Sequence, residues 1–95
     1  MELAIADIVI SIAGRDQGIC AFVVGLEDGY ALLADGKGRR LERPKRKKFK
    51  HIAKVARIDS RVAEKLRAGD KVLNSELRRD LAAFSREQGS QNQGG

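Results

Sequence analysis

Three short apolar runs, separated by turns that contain glycine, occupy the first third of the chain and limit it to a small β fold. The runs lie at residues 5–12, 19–26 and 30–34. In the first run, Ile8, Ile10 and Ile12 recur at every second position, which is typical of a strand with one buried face. Asp28 and Gly29 separate the second run from the third and form a two-residue turn of the kind that hairpins favour. The pattern therefore predicts three consecutive antiparallel strands.

Two further segments extend the β pattern. The stretch "DGKG" at 35–38 is typical of a turn, and "RRLER" at 39–43 is short enough for a fourth strand. Pro44 would end that strand, because proline cannot donate a hydrogen bond to a ladder. "KHIAKVARI" at 50–58 predicts a fifth strand. Five short strands joined by tight turns indicate a mainly β fold, either a small barrel or a sandwich.

The pattern changes to a helical one near residue 59. "SRVAEKLRAGD" at 60–70 predicts a short helix, with Asp59 or Ser60 as its N-cap and Gly69 at its end. A polar residue before the first helical turn and a glycine after the last one are the usual signals of helix ends.

A second helix is predicted over residues 74–89, capped by Asn74 or Ser75. Its apolar stripe consists of Leu77, Leu81 and Phe84. Spacings of four and three residues place these side chains on one side of the helix, so we expect that side to pack against the sheet.

The length of 95 residues is sufficient for one domain with one small core. We expect the β domain and a basic arm to occupy residues 1–58, and a helical extension to occupy 59–84. Residues 85–95 consist mainly of Gly, Ser, Gln and Asn, and their composition predicts a disordered tail.

The sequence favours a cytoplasmic protein. No apolar run approaches the ~20 residues of a membrane helix, and the apolar N-terminus begins with Glu2 and lacks a basic leader, unlike a signal peptide. The chain has one cysteine, Cys20, and one histidine, His51. We therefore expect no internal disulfide, no metal site and no cofactor.

The positive charge is concentrated in one segment of about twenty residues. Residues 1–36 have a net charge of −5, residues 37–57 a net charge of +10, and residues 58–95 a net charge of +1. Eleven Lys and Arg side chains lie within 37–57, with Glu42 as the only acid. Such a density of like charge is unfavourable without a polyanion nearby, so the segment predicts a nucleic-acid partner.

The motif that precedes this segment resembles a known family. "VISIAGRDQGICAFVV" at 9–24 is similar to the KOW motif of ribosomal and transcription-elongation proteins, although Ile19 and Ala21 stand where many such motifs have Lys and Gly. The continuation to "KHI" at 50–52 resembles the archaeal and eukaryotic large-subunit ribosomal protein fourteen family, and more closely its small bacterial KOW-domain relatives. The resemblance covers roughly residues 5–58. It implies an SH3-like five-stranded barrel that binds RNA, and one or two short C-terminal helices follow from the pattern above.

The segment "AGRDQG" at 13–18, here called the glycine loop, is a hairpin tip in the simplest interpretation, since glycine accepts positive φ at little cost. Together with the basic segment it supplies the predicted RNA contacts. They are Gly14, Arg15, Gly18, Lys37, Arg39, Arg40, Arg43, Lys45, Arg46, Lys47, Lys48, Lys50 and His51. We expect the protein to contact the phosphate backbone of structured RNA. The RNA expected from the resemblance is ribosomal RNA of the large subunit.

Other interpretations of the same residues stay open. The basic segment could be a solvated face or a solubility arm, and "PKRKK" at 44–48 fits a nuclear-import pattern. A KOW domain can also bind RNA polymerase, in which case the acidic strands and the stripe of the second helix would be the protein contact. Charge alone does not distinguish RNA from duplex DNA.

The sequence offers little for base recognition and no catalytic set. It has four aromatic residues, of which Phe49 is either a core residue or a stacking residue near the basic run. His51 has no potential metal ligands at suitable spacing, Cys20 lies in a strand, and Asp16 suits a turn. We therefore expect a protein that is not an enzyme.

Overall fold

The protein is a mainly β fold with two helices, as seen in a computed structural model that describes residues 2–93. The five strands are β1 (Asp7–Ser11), β2 (Cys20–Glu27), β3 (Tyr30–Ala34), β4 (Lys45–Lys48) and β5 (Ile52–Arg57). They form one antiparallel sheet in the order β4-β3-β2-β1-β5. A 3-10 turn at Phe49–His51 joins β4 to β5, and the helices are α1 (Arg61–Ala68) and α2 (Asn74–Gln93).

The first three strands and their hairpin turn are confirmed. Glu27 pairs with Tyr30 across the two-residue turn, in which Gly29 has a φ of +77°. Ile12, expected to share the buried face of Ile8, retains 49% of its surface. β1 ends at Ser11, so Ile12 already belongs to the connection that follows.

The predicted fourth strand at 39–43 is wrong, because the basic run itself forms β4. Residues 39–43 are a loop whose backbone is held by side chains: the Leu41 amide donates to Asn74 Oδ1 at 2.8 Å instead of to a neighbouring strand. Pro44 precedes β4 rather than ending a strand, at a position where its missing N–H costs no ladder bond. Leu33 pairs with Lys45 in the first register position after it.

The sheet is open and strongly curved. β4 and β5 are its two edges, yet only the three-residue turn separates them in the chain. A flat sheet would hold these edges about 19 Å apart, at about 4.8 Å per strand, whereas the chain from Lys48 to Ile52 spans at most about 14 Å. The sheet must therefore bend, and irregular pairing in β1 and β2 supports the bend. No ladder joins β4 to β5 among the described residues, so the sheet is not a closed barrel.

Side chains from the two faces of the sheet pack into two separate cores. Val9, Val23 and Leu33 belong to the first, here called the inner core, which the helices do not cover. Ile8 and Phe22 face the other way and pack with Leu77 of α2. Leu81 and Phe84 pack against the same helix-side core, which confirms the stripe predicted from their spacing.

The first helix has the predicted ends. Ser60 caps α1 by accepting a hydrogen bond from the Ala63 amide at 3.0 Å, and Gly69 ends it with a φ of +77°.

The second helix begins and ends differently from the prediction. Asn74 is its first residue and does not cap it; instead the Glu76 carboxylate accepts a hydrogen bond from the Leu73 amide at 3.0 Å. The backbone stays helical through Gln93, where composition predicted a disordered tail from residue 85, and residues 94–95 lie outside the described part. Neither helix is long and apolar enough to cross a membrane over the described residues.

Candidate nucleic-acid interface

The glycine loop is a tight connection between β1 and β2. Gly14 and Gly18 have φ values of +89° and +92°, which strain any other residue. The Gly18 amide donates to the Ser11 carbonyl at 2.8 Å, and the Ile19 amide donates to the Asp16 carbonyl at 3.0 Å. These bonds fix the loop from within, and the side chain of Arg15 at its tip is exposed.

Lys47 holds the glycine loop against β4 and is not available to a partner. Its register partner Ala31 lies in the inner core, so its side chain enters the molecule instead of leaving it. Its ammonium donates to the Ala13 carbonyl at 2.8 Å and forms an ion pair with Asp16. With 8% of its side chain exposed, Lys47 is a structural cation, which corrects its assignment to RNA.

The ion pair explains the electrostatics of Asp16. The hydrogen bond from Lys47 is the main reason that the pKa of this carboxyl lies below its usual range. The Ser11 hydroxyl, 3.4 Å from Asp16 Oδ2, adds a smaller effect in the same direction, and burial opposes both. Asp16 therefore anchors Lys47, a role that the sequence interpretation as a turn residue missed.

Two other predicted contacts also have acidic partners. Arg46 pairs with Glu27 at 2.7 Å and lies over the ring of Tyr30, 3.8 Å from its centroid. Arg40 lies 3.5 Å from Glu42. Both arginines remain exposed, so their charges are partly compensated rather than buried.

The segment 35–44, here called the basic loop, is shaped by Asp35. One carboxylate oxygen, Oδ1, accepts hydrogen bonds from the backbone amides of Lys37 at 2.9 Å and of Arg39 at 2.8 Å. The loop is held to α2 as well, because Arg78 donates to the Gly36 carbonyl at 2.6 Å. The cations of this loop therefore project from an ordered backbone, not from a flexible arm.

The glycine loop, the basic loop and β4 together enclose one open cleft of about 610 Å³, here called the cationic cleft. The predicted site residues that line it are Gly14, Arg15, Arg39, Lys45, Arg46, Lys47, Lys48 and His51. The remaining ones, Gly18, Lys37, Arg40, Arg43 and Lys50, do not line it. Lys37 and Arg40 border a separate groove beside α2, and Lys50 lies beyond the far end of β4.

Most predicted cations lack an acidic partner among the residues that the structure describes. Those without one are Arg15, Lys37, Arg39, Arg43, Lys45, Lys48 and Lys50. Four of these, Arg15, Arg39, Lys45 and Lys48, line the cationic cleft. The cleft is thus a surface where uncompensated positive charge converges.

Tyr30 is a cleft residue that the sequence analysis did not single out. It belongs to the third predicted strand, and the structure places it as the first residue of β3, opposite Lys48. The other aromatic residues are used internally: Phe22 is fully buried, and Phe49 and Phe84 pack against the two cores. The available sequence signal for Tyr30 was its position directly after the hairpin turn, at the end of a strand, whereas its proximity to the cations of β4 is a result of the fold.

Groups that could support metal chemistry do not converge within the described residues, where no three His, Cys, Asp or Glu side chains form a metal site. Cys20 is half-buried, and burial raises the pKa of its thiol. A thiol with a raised pKa is a poor nucleophile at neutral pH.

Comparison of the chain with protein-family models and with curated proteins finds no match.

Proposed function

We propose that this protein is a non-catalytic RNA-binding protein that associates with ribosomal RNA of the large subunit. The observation that carries the proposal is the convergence of Arg15, Arg39, Lys45 and Lys48 on one cleft without acidic partners among the described residues. Each phosphate that such a cation neutralises releases condensed counterions, which favours binding to a polyanion. The KOW-like glycine loop forms one wall of that cleft and supports the family interpretation.

We further assign the curved sheet as an open form of the SH3-like barrel that the KOW resemblance implies. Its support is the short turn that brings the two edge strands near each other, together with an inner core on the face away from the helices. Lys47 further joins the edge strand β4 to the glycine loop between β1 and β2.

The cleft suits the backbone and shape of a folded RNA better than a single-stranded sequence. Single-strand binders rely on aromatic side chains on which successive bases stack. Here the only stacking groups in the cleft among the described residues are Tyr30, whose ring Arg46 already covers, and the imidazole of His51. Dense charge with little stacking surface is the combination used for double-helical RNA.

The direct test is reversal of three cleft charges, R39E/K45E/K48E, measured against a fragment of large-subunit ribosomal RNA at 150 mM salt. The matched control R61E/K71E/R79E makes the same change in net charge at exposed positions of the helical part. We expect the cleft variant to lose at least a hundredfold in affinity and the control to lose less than fivefold. Equal losses in the two variants would mean that net charge, and not the cleft, drives binding.

Two further measurements separate the proposal from its rivals. Competition between the ribosomal RNA fragment and duplex DNA should favour the RNA, since the cleft is expected to recognise A-form geometry. In lysate the protein should sediment with large ribosomal subunits and leave that fraction after nuclease treatment. A nuclease-resistant association with RNA polymerase would instead support a protein-interaction module.

A further inference from the structure

A second, smaller pocket lies between the glycine loop and the basic loop, next to the cationic cleft. Its volume is about 300 Å³, at the lower end of the range for small-molecule pockets. Arg15, Arg39 and Lys45 line both the pocket and the cleft, so a strand held in the cleft passes the mouth of the pocket. The size admits one flat ring system, not an extended ligand.

The pocket has an apolar floor. Ala21 and Leu33, both buried residues of the inner core, form its base, and Ile19 forms part of its wall. Ile19 keeps 47% of its surface exposed, so its side chain is accessible to a ligand at the wall. An apolar floor with an exposed apolar wall is suited to the face of a planar aromatic group.

The polar groups around this apolar floor can form the hydrogen bonds and ionic contacts that a nucleobase and its phosphate require. Asp35 uses Oδ1 for the backbone amides of the basic loop, and Oδ2 has no hydrogen-bond partner among the described residues. This oxygen can accept a hydrogen bond from an exocyclic amino group. The guanidinium planes of Arg15 and Arg39 can lie against a base, and Lys45 can neutralise an adjoining phosphate.

We propose that this pocket receives a single unpaired base, extruded from the structured RNA that the cationic cleft binds by its backbone. The inference rests on the proposed function, to which it adds a single base contact. Because a carboxylate oxygen only accepts hydrogen bonds, bases with an exocyclic amino group (adenine, cytosine and guanine) bind better than uracil, whose one donor on that edge, N3–H, is flanked by two carbonyl oxygens that repel a carboxylate.

The test uses five RNA hairpins of one stem sequence: fully paired, or with one bulged A, C, U or abasic nucleotide. The abasic nucleotide keeps the bulge and its backbone but removes the base. We expect bulged A and C to raise affinity about tenfold over the paired and abasic hairpins, and bulged U to raise it less, the size of effect that one base contact supplies. Equal binding of the abasic and the bulged A hairpins would overturn the inference.

A pair of variants locates the effect. Gly38 lines the pocket, has no φ in the left-handed region, and no atom lies within 4 Å of where its Cβ would be. Gly38→Leu should fill the mouth and abolish the gain from the bulged base without changing affinity for the paired hairpin, while Gly38→Ala should keep the gain. A gain that survives Gly38→Leu would place the base elsewhere.

An NMR comparison provides a readout that does not depend on either variant. In complexes with the bulged A and the abasic hairpins, the methyl resonances of Ala21 and Leu33 should differ, whereas unchanged methyl resonances would contradict the inference.

The failure of this inference is distinct from failure of the proposed function. If the paired hairpin binds and the base adds nothing, only the base pocket is wrong, and if no hairpin binds, the proposed function is wrong.

Discussion

Lys45 and Lys47 lie two residues apart on β4 and face the same side of the sheet, but the structure gives them different surroundings. Lys47 reaches Asp16 and the Ala13 carbonyl and is buried, whereas Lys45 stands at the rim of the cationic cleft without an acidic partner among the described residues. The difference lies in their contacts: the Lys47 ammonium is held by two groups of the glycine loop, whereas Lys45 forms no hydrogen bond or ion pair with that loop among the described residues. A cationic run therefore contains paired and unpaired charges that composition does not separate.

The largest expected effect is a difference in the free energy of unfolding between variants of these two lysines. Lys47→Met should lower the free energy of unfolding by about 3 kcal/mol, because it leaves a mostly buried Asp16 carboxylate without its partner. Lys45→Met should change it by less than about 0.5 kcal/mol, as is usual for an exposed position. Urea denaturation measures both values. Adding Asp16→Asn to Lys47→Met should restore part of the loss, and equal values for the two lysine variants would remove the distinction.

A second prediction tests whether α2 holds the basic loop in place. Gly36 has a φ of +77°, and a Cβ there would lie 2.2 Å from the Asn74 carbonyl oxygen. Gly36→Ala should therefore cost about 2 kcal/mol of stability. Gly38→Ala, in the same loop with open space around it, is the matched control and should cost less than about 0.5 kcal/mol.

The comparison of these alanine variants by thermal and urea unfolding checks the assignment. A tolerant Gly36 would indicate that the loop and the helix are not in close contact, and only the hydrogen bonds to Asp35 would then explain the order of Lys37 and Arg39.

A smaller effect should appear as a dependence of stability on pH. The pKa of Asp16 is lowered in the folded protein, mainly by Lys47, from an ordinary value of 3.8. A carboxyl with a lowered pKa stabilises the fold fully above its ordinary pKa, and the contribution is lost as the pH falls through the lowered value. The urea midpoint of the wild type should thus fall more between pH 5 and pH 2.5 than that of Asp16→Asn. Parallel pH profiles would show that the pair does not contribute.

The sequence was informative where local patterns decide the structure. Alternating apolar residues and the Asp28-Gly29 pair predicted three strands and their hairpin, and Ser60 and Gly69 predicted the ends of α1. These features depend on neighbours in the chain, so they can be recognised without tertiary information.

Tertiary contacts decided the rest. Residues 39–43 have the length of a strand, but Asp35 and Asn74 take their backbone amides, and β4 forms from four cations of low strand propensity. The burial of Lys47 depends on Asp16, 31 residues earlier in the chain, and no local pattern shows that pairing. The sequence therefore identified the segment that supplies most of the cleft cations, whereas which of them are paired with acids could be seen only in the fold.

The salt dependence of RNA affinity tests the central claim most directly, since each released counterion contributes to the slope of log Kd against log salt concentration. The double variant Lys45→Gln/Lys48→Gln should make this slope shallower by about 1.4–1.8, because two phosphate contacts are lost. Arg46→Gln, on the same strand but already paired with Glu27, should leave the slope nearly unchanged. Equal slopes for the wild type and the double variant, or a decrease as large in Arg46→Gln, would contradict the assignment of binding to the unpaired cations of the cleft.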